Sequence, residues 1–240
     1  MEYRPRLSAE EYQLIQNHRD KTTRNVLVIG DVHEPFCLAG YKEHCLDIYH
    51  KYSCNRVVFT GDLIDNHYAS FHATDPDGFG AGEELERARE KIKQWYAIFP
   101  KAIVTIGNHD AIICRKAYAN GISRHWIRDY KEVLDTPDWD FVEQFELDGV
   151  MYVHGTGTSG RSGCANRALQ MGVNCVQGHI HTESSVIYNG NNWGLQVGCG
   201  IDKKQYAFAY AKTFPKPVKI SCGVVLNNGT MPIVVPMSVD

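Results

Sequence analysis

The 240-residue sequence predicts an α/β protein in which two β-sheets pack together with helices on the outside. Three observations predict it. The first half alternates short apolar, β-branched runs with amphipathic helical stretches, the pattern of βαβ units around a parallel core. From Asp140 onward the texture changes to short strand-like runs separated by turns. The clearest apolar runs also stop abruptly at glycine and polar residues, which sets polar side chains at strand ends, where open α/β sheets place their chemistry.

Taken in order, Ser8 and Glu11 form a capping-box pattern that opens a helix through about Arg19, with Tyr12 and Ile15 as its inward positions. Residues 1–24 thus read as a helical appendage before the core of a single domain spanning 1–240. Asn25–Ile29 is the first strand. Tyr41–Tyr52 follows as a helix with Tyr41, Cys45, Ile48 and Tyr52 on one face, and Arg56–Thr60 is a second buried strand. Tyr68–Gly82 reads as a loop. Glu83–Phe99 is the strongest helix, with Leu85, Ala88, Ile92, Trp95 and Phe99 aligned and Pro100 as its stop. Ala102–Ile106 is the third strand, Asp110–Tyr118 starts a helix, and Ser123–Tyr130 contains another short one. Its Arg124, Trp126, Arg128 and Tyr130 suit either stacking and pairing with a single nucleic-acid strand or one amphipathic helix packed on the core, and the second is expected. The later strands are expected at Phe141–Leu147, Val150–Val153, Val173–Gln177, Ser184–Tyr188, Trp193–Val197, Tyr206–Tyr210, Cys222–Leu226 and Ile233–Val235.

Composition narrows the function classes. A net charge of −3 and a pI near 6.4 do not favour tight, sequence-blind binding to long nucleic acid, though a local groove can still be basic. The charged N-terminus lacks the apolar core of a signal peptide, and no stretch is apolar enough to span a membrane, so no membrane partner is expected. Eight cysteines without a C-x-x-C pair read as reduced and mostly buried, which suits a cytoplasmic protein.

Five polar blocks stand at predicted strand ends: Asp31-Val32-His33, Gly61-Asp62, Gly107-Asn108-His109-Asp110, His154-Gly155 and Gly178-His179-Ile180-His181. Singly, most are ordinary strand-end turns. The last is harder to dismiss, because His at i and i+2 project to one side of an extended segment. Carboxylate, carboxamide and imidazole donors without thiolate suit Mn, Fe, Zn or Co rather than a structural zinc site. Seven such ligands are too many for one ion and about right for two that share a carboxylate.

In order and spacing the blocks resemble the signature of the calcineurin-like metallophosphoesterase superfamily: D-x-H, G-D, G-N-H-[D/E], H, G-H-x-H. The likeness runs from about Val26 to Val197, and the sequence looks like the small bacterial and phage-encoded members. The resemblance implies a four-layer αββα sandwich of two mixed sheets. It implies one divalent ion on Asp31, His33, Asp62 and His181 and a second on Asp62, Asn108, His154 and His179, with manganese first and Fe, Zn, Co or Ni as alternatives. Two such cations, about 3.5–4 Å apart, convert a shared water to hydroxide for attack on a phosphoester. His109 would protonate the leaving oxygen and Asp110 would orient it.

The serine/threonine phosphatases of the superfamily usually carry G-D-x-V-D-R-G, and their Arg grips the substrate phosphate. Here the corresponding run is Gly61-Asp62-Leu63-Ile64-Asp65-Asn66-His67, so Asn66 replaces that Arg. A site without the guanidinium gives less to a dianionic monoester, which favours a phosphodiester of a nucleotide or short, single-stranded nucleic acid. A phosphomonoesterase and a non-catalytic binding scaffold are the alternatives. Candidates for substrate contact are Asn66, His67 and, in the glycine-rich run 155–163, Arg161; a solvated loop is the expected home of His67 and His72.

Overall fold

The computed structural model describes residues 8–10, 23–71, 74–205, 207 and 217–239. Nearly all of the expected N-terminal helix, His72 and most of the expected strand 206–210 lie outside them.

Three four-residue strands, β1 (Val26–Ile29), β2 (Arg56–Phe59) and β3 (Ala102–Thr105), run parallel and are joined by helices α1 (Tyr41–Lys51) and α2 (Ala81–Ile98). Their near-continuous apolar sequences follow from burial on both faces. Leu27, Ile29, Val57 and Phe59 meet the helices, where Tyr41, Cys45, Ile48, Ala88, Ile92 and Trp95 form the apolar stripes expected of the two helices. The alternate residues Val26, Val28 and Val58 point the other way, as the period of two requires, into a second core between the sheets.

Helix α3 (Ile112–Ala119) and the short α4 (Tyr130–Leu134) lead to β4 (Trp139–Val142), and two hairpin strands close the opposite side of the sheet, β10 (Ser221–Leu226) and β11 (Met231–Pro236). The strand order is β11-β10-β1-β2-β3-β4. The second sheet has the order β5-β6-β7-β9-β8, from β5 (Gln144–Leu147), β6 (Val150–Val153), β7 (Asn174–Gln177), β8 (Ser185–Asn189) and β9 (Asn192–Gln196). Its outer face carries α5 (Gly163–Met171), through Cys164 and Ala168 against Val153 and Cys175. The expected four-layer αββα sandwich of two mixed sheets is therefore the observed fold.

One correction matters for the site. The expected strand 141–147 is two strands in different sheets: Val142 pairs with Thr105 in the first sheet and Gln144 pairs with Val153 in the second. A bend at Glu143 carries the chain across. It brings the C-terminal ends of β3 and β6 side by side, just ahead of Asn108 and His154. Among the described residues no helix is long and apolar enough to cross a membrane, and all eight cysteines are free, six of them buried.

The contact of α5 with the second sheet depends on a missing side chain. A Cβ on Gly194 of β9 would collide with the backbone of Cys164 and Ala165, whereas one on Gly82, in the first turn of α2, would meet open space. Gly194→Ala is expected to lower unfolding free energy by about 1–3 kcal/mol in urea titration. Gly82→Ala is expected to raise it by about 0.4–1 kcal/mol.

Candidate metal centre

All five blocks lie at the C-terminal ends of parallel strands: Asp31 and His33 after β1, Asp62 after β2, Asn108 after β3, His154 after β6, and His179 and His181 after β7. The first sheet therefore supplies four donors and the second three. Donor atoms of Asp31, His33, Asp62 and His181 lie within 4.8 Å of one another, and so do those of Asp62, His154 and His179. Asn108 joins the second group, its Oδ1 2.9 Å from His154 Nε2. Asp62 is common to both.

Close approach explains the glycines. A Cβ on Gly107 would occupy the space of the Asp62 carboxylate, and one on Gly178 that of the Asp31 carboxylate and the Thr60 hydroxyl. The backbone is also unusual at the donors themselves: His33, Asp62 and His179 have φ of 48°, 46° and 69°. For His179 this corrects the extended reading of Gly178–His181. The Ile180 N–H donates to the Gly178 carbonyl at 2.8 Å, closing a three-residue turn that sends His179 towards His154 and leaves His181 beside Asp31 and His33.

The residues fit divalent cations by their donor chemistry. His154 Nδ1 lies 2.7 Å from the Thr60 carbonyl oxygen, which only accepts, so Nδ1 is the donor and Nε2 faces acceptors: Asn108 Oδ1 at 2.9 Å and Asp62 Oδ2 at 3.3 Å. Likewise His33 Nδ1 donates to Asp65 Oδ1 at 2.6 Å and turns Nε2 towards His181 Nε2 at 3.2 Å. Between such lone pairs there is room for positive charge, supplied either by a proton on the imidazole or by a bound cation. Burial disfavours a charged His154, yet Asp62 and Asp31 outweigh it and raise its pKa to about 10, a measure of the negative potential at this point. Burial and the neighbouring His109 charge lower the pKa of His33, keeping it the neutral imidazole that metal ligation uses.

Asp110 does not orient His109. Its carboxylate accepts from the backbone amides of Leu63, Ile64 and Gly107 at 2.9, 3.2 and 2.9 Å, stitching β2's exit loop to β3's. Burial and the Asp62 charge push its carboxyl up to about 6. The residue at His109 is Asp65, not anticipated from the sequence: its carbonyl accepts from His109 Nδ1 at 2.6 Å, and its carboxylate lies 3.4 Å from the same nitrogen. Burial opposes a charged His109, but Asp62 and Asp65 outweigh it and raise its pKa. The only sequence signal was a second acid three residues after Asp62.

The substrate candidates separate. Asn66 is buried, with φ 52°, and its Nδ2 donates to the His109 carbonyl at 2.9 Å. His67 is packed rather than solvated: its N–H donates to Glu84 Oε1 at 2.7 Å and its Nε2 accepts from the Asp75 amide at 3.3 Å. Arg161 is exposed, and Arg167 holds the Thr156 carbonyl at 3.1 Å. Among the described residues no arginine side chain is hydrogen-bonded to a donor of the site.

Glu84 is a buried carboxyl in the first turn of α2. Its Oε2 has no hydrogen-bond partner among the described residues, and burial raises its pKa to about 7. The folded state therefore holds this proton more tightly than the unfolded chain does. The stability this gives is full below an unfolded pKa of about 4.3 and is lost as pH rises through about 7. Glu84→Gln keeps the acceptor for His67 and removes the titration. It should match wild type in urea at pH 4 and exceed it at pH 8 by about 1–3 kcal/mol.

A family model described as calcineurin-like phosphoesterase matches residues 24–187. The chain belongs to that family, and its His/Asp cluster is the family's kind of metal site. Among solved structures it is similar to an archaeal phosphodiesterase (14% identity, 89% of this chain and 99% of that one, TM-score 0.49). It is also similar to vacuolar protein sorting 29 from Cryptosporidium parvum (14%, 88% and 89%, 0.47) and to the phosphoesterase Yfce from E. coli (14%, 89% and 100%, 0.42). Comparison with curated proteins gives no match.

Proposed function

We propose that the centre holds two divalent cations, manganese foremost, and hydrolyses a phosphodiester of a nucleotide or short nucleic acid. The observation that carries this is the pair of donor groups sharing Asp62, drawn from five strand ends and containing no thiolate. Asp31, His33, Asp62 and His181 would hold one ion and Asp62, Asn108, His154 and His179 the other. When bound, such a pair supplies Lewis acidity and lowers the pKa of a water at the site.

The chain's own residues handle the leaving group. His109 donates Nδ1–H to the Asp65 carbonyl, so Nε2 is the nitrogen that carries the exchangeable proton. The Asp62 and Asp65 charges outweigh burial and raise the His109 pKa above the ordinary imidazole value, which favours the protonated form a general acid needs. Asp65 is a positioning residue for both histidines, His33 through its carboxylate and His109 through its carbonyl and charge. Asn66 braces the His109 backbone where a monoesterase of the family carries Arg, which supports a monoanionic substrate.

Metal-loaded protein should cleave a bis-aryl phosphate faster than the mono-aryl ester, and a chelator should abolish both activities. The reverse preference overturns the diester assignment.

His109→Asn is expected to lower kcat about 10²–10⁴-fold with metal content unchanged, whereas Asp62→Asn empties the site. As a general acid, His109 acts only when protonated, so activity falls as pH rises through its pKa. Removing the Asp65 charge lowers that pKa, and Asp65→Asn should move the alkaline limb of the kcat profile to lower pH. An unmoved limb, with metal content checked by elemental analysis, removes Asp65 from this role.

A further inference from the structure

The segment between Asp110 and Asp129 has no acid and four cations, Arg115, Lys116, Arg124 and Arg128, in a chain of net charge −3. It begins two residues after His109, with α3 starting at Ile112, and just beyond its end the Tyr130 hydroxyl returns to donate to the Asp110 carbonyl at 3.1 Å. The expectation that its aromatic residues pack together on the core holds only for Tyr130, which stacks on Phe141 with ring centres 5.3 Å apart. Trp126 is 84% exposed, and every residue from Tyr118 to Trp126 is exposed. Tyr118, Ile122 and Trp126 recur at four-residue intervals, the last held on a 3₁₀ turn whose Ser123 hydroxyl accepts from the His125 amide at 3.3 Å. In the same segment, the Arg115 guanidinium and the Lys116 ammonium lie 4.9 Å and 5.3 Å from the exposed Phe71 ring, and Lys116 donates to the Ser70 carbonyl at 3.3 Å.

We infer that this surface binds single-stranded nucleic acid and leads it to the metal centre, an inference that rests on the phosphodiesterase reading for what happens to the strand there. Cations interleaved with free aromatic faces match a chain of phosphates carrying unstacked bases. The alternative occupant, a second copy of the same face, is disfavoured by charge: an isologous contact sets the patch against itself and opposes four cations with four. Arg128 already faces Glu132 at 3.5 Å, but both are exposed and such a pair separates at little cost. A duplex keeps its bases stacked on each other and offers Trp126 nothing to stack on.

Trp126 is also its own reporter. The other three tryptophans, Trp95, Trp139 and Trp193, are 1%, 0% and 4% exposed, so quenching of solvent-exposed emission belongs to Trp126. The intact protein with Mn²⁺ is titrated with oligothymidylate, oligouridylate, a duplex of equal length and polyglutamate, following tryptophan emission and anisotropy of labelled strands. The expected result is quenching by at least one single strand. Binding should also depend on salt with a log–log slope of about −3, if the four cations each neutralise a phosphate. Trp126→Ala should weaken binding about tenfold and leave kcat on bis-aryl phosphate unchanged. Equal binding of duplex or polyglutamate overturns the inference, as does a Trp126→Ala protein that binds the strand normally but sediments as a smaller species than wild type. Strand binding absent while bis-aryl phosphate is cleaved overturns the surface and leaves the phosphodiesterase reading. Strand binding as described with no diester cleaved keeps the surface and removes that reading.

Discussion

Asp31 and Asp62 are buried at the seam of the two sheets, 0% and 1% exposed, and the rest of the centre is organised by what two carboxylates need in such a place. An ionised carboxylate without countercharge costs several kcal/mol when water is removed. Part of the compensation is fixed by the chain: the His109 amide donates to Asp62 Oδ1 and the His179 amide to Asp31 Oδ2, each at 2.8 Å. Burial favours the protonated form of Asp62, yet His154 and His109 outweigh it and hold its pKa well below the usual carboxylate range. The histidines are there because the carboxylates are, and the cations of the proposed function answer the same demand.

That arrangement is obtained at a conformational cost. His33, Asp62, Asn66 and His179 all have positive φ, a region that non-glycine side chains avoid, at about 1–3 kcal/mol each. Backbone hydrogen bonds from adjacent strand exits hold them there. The His33 amide donates to the Asp62 carbonyl at 2.9 Å, Glu34 to Leu63 at 2.9 Å, and Gly178 to His154 at 2.9 Å. These bonds link exits of neighbouring parallel strands, which explains why the donors come from the centres of both sheets rather than their edges. Asp110, by accepting three backbone amides, belongs to this restraint and not to proton transfer.

What was legible in the sequence was whatever has a local signature. Strands buried on both faces, such as Val26–Ile29, are apolar throughout, and donors that terminate them are read directly from the blocks. The sheet switch at Glu143 left no mark, because strand residues 141–142 and 144–147 look alike and only their pairing partners differ. The partner of His109 was hidden for a similar reason: sequence adjacency points to Asp110, whereas Asp65, a carboxylate from another strand exit, reaches the ring. Trp126 and Tyr130 have the helical spacing of one face, but the chain changes from a 3₁₀ turn to α4 between them, and the shared face disappears.

The composition of the two donor groups has a consequence for the fold itself. Each mixes the sheets: Asp31, His33 and Asp62 of the first sheet meet His181 of the second, and Asp62 and Asn108 of the first meet His154 and His179 of the second. The apolar layer between the sheets, with Val26, Val28 and Val225 against Val150, Tyr152 and Leu195, holds them together without regard to direction. The polar end imposes register, since a slip of one residue in β1 or β7 would turn the donors to the opposite face. A cation bound in either group would therefore favour only the correctly docked pair of sheets, and its binding free energy would add to the stability of that arrangement. Function and docking thus draw on the same contacts: the negative charge that burial makes costly is also what ties one sheet to the other.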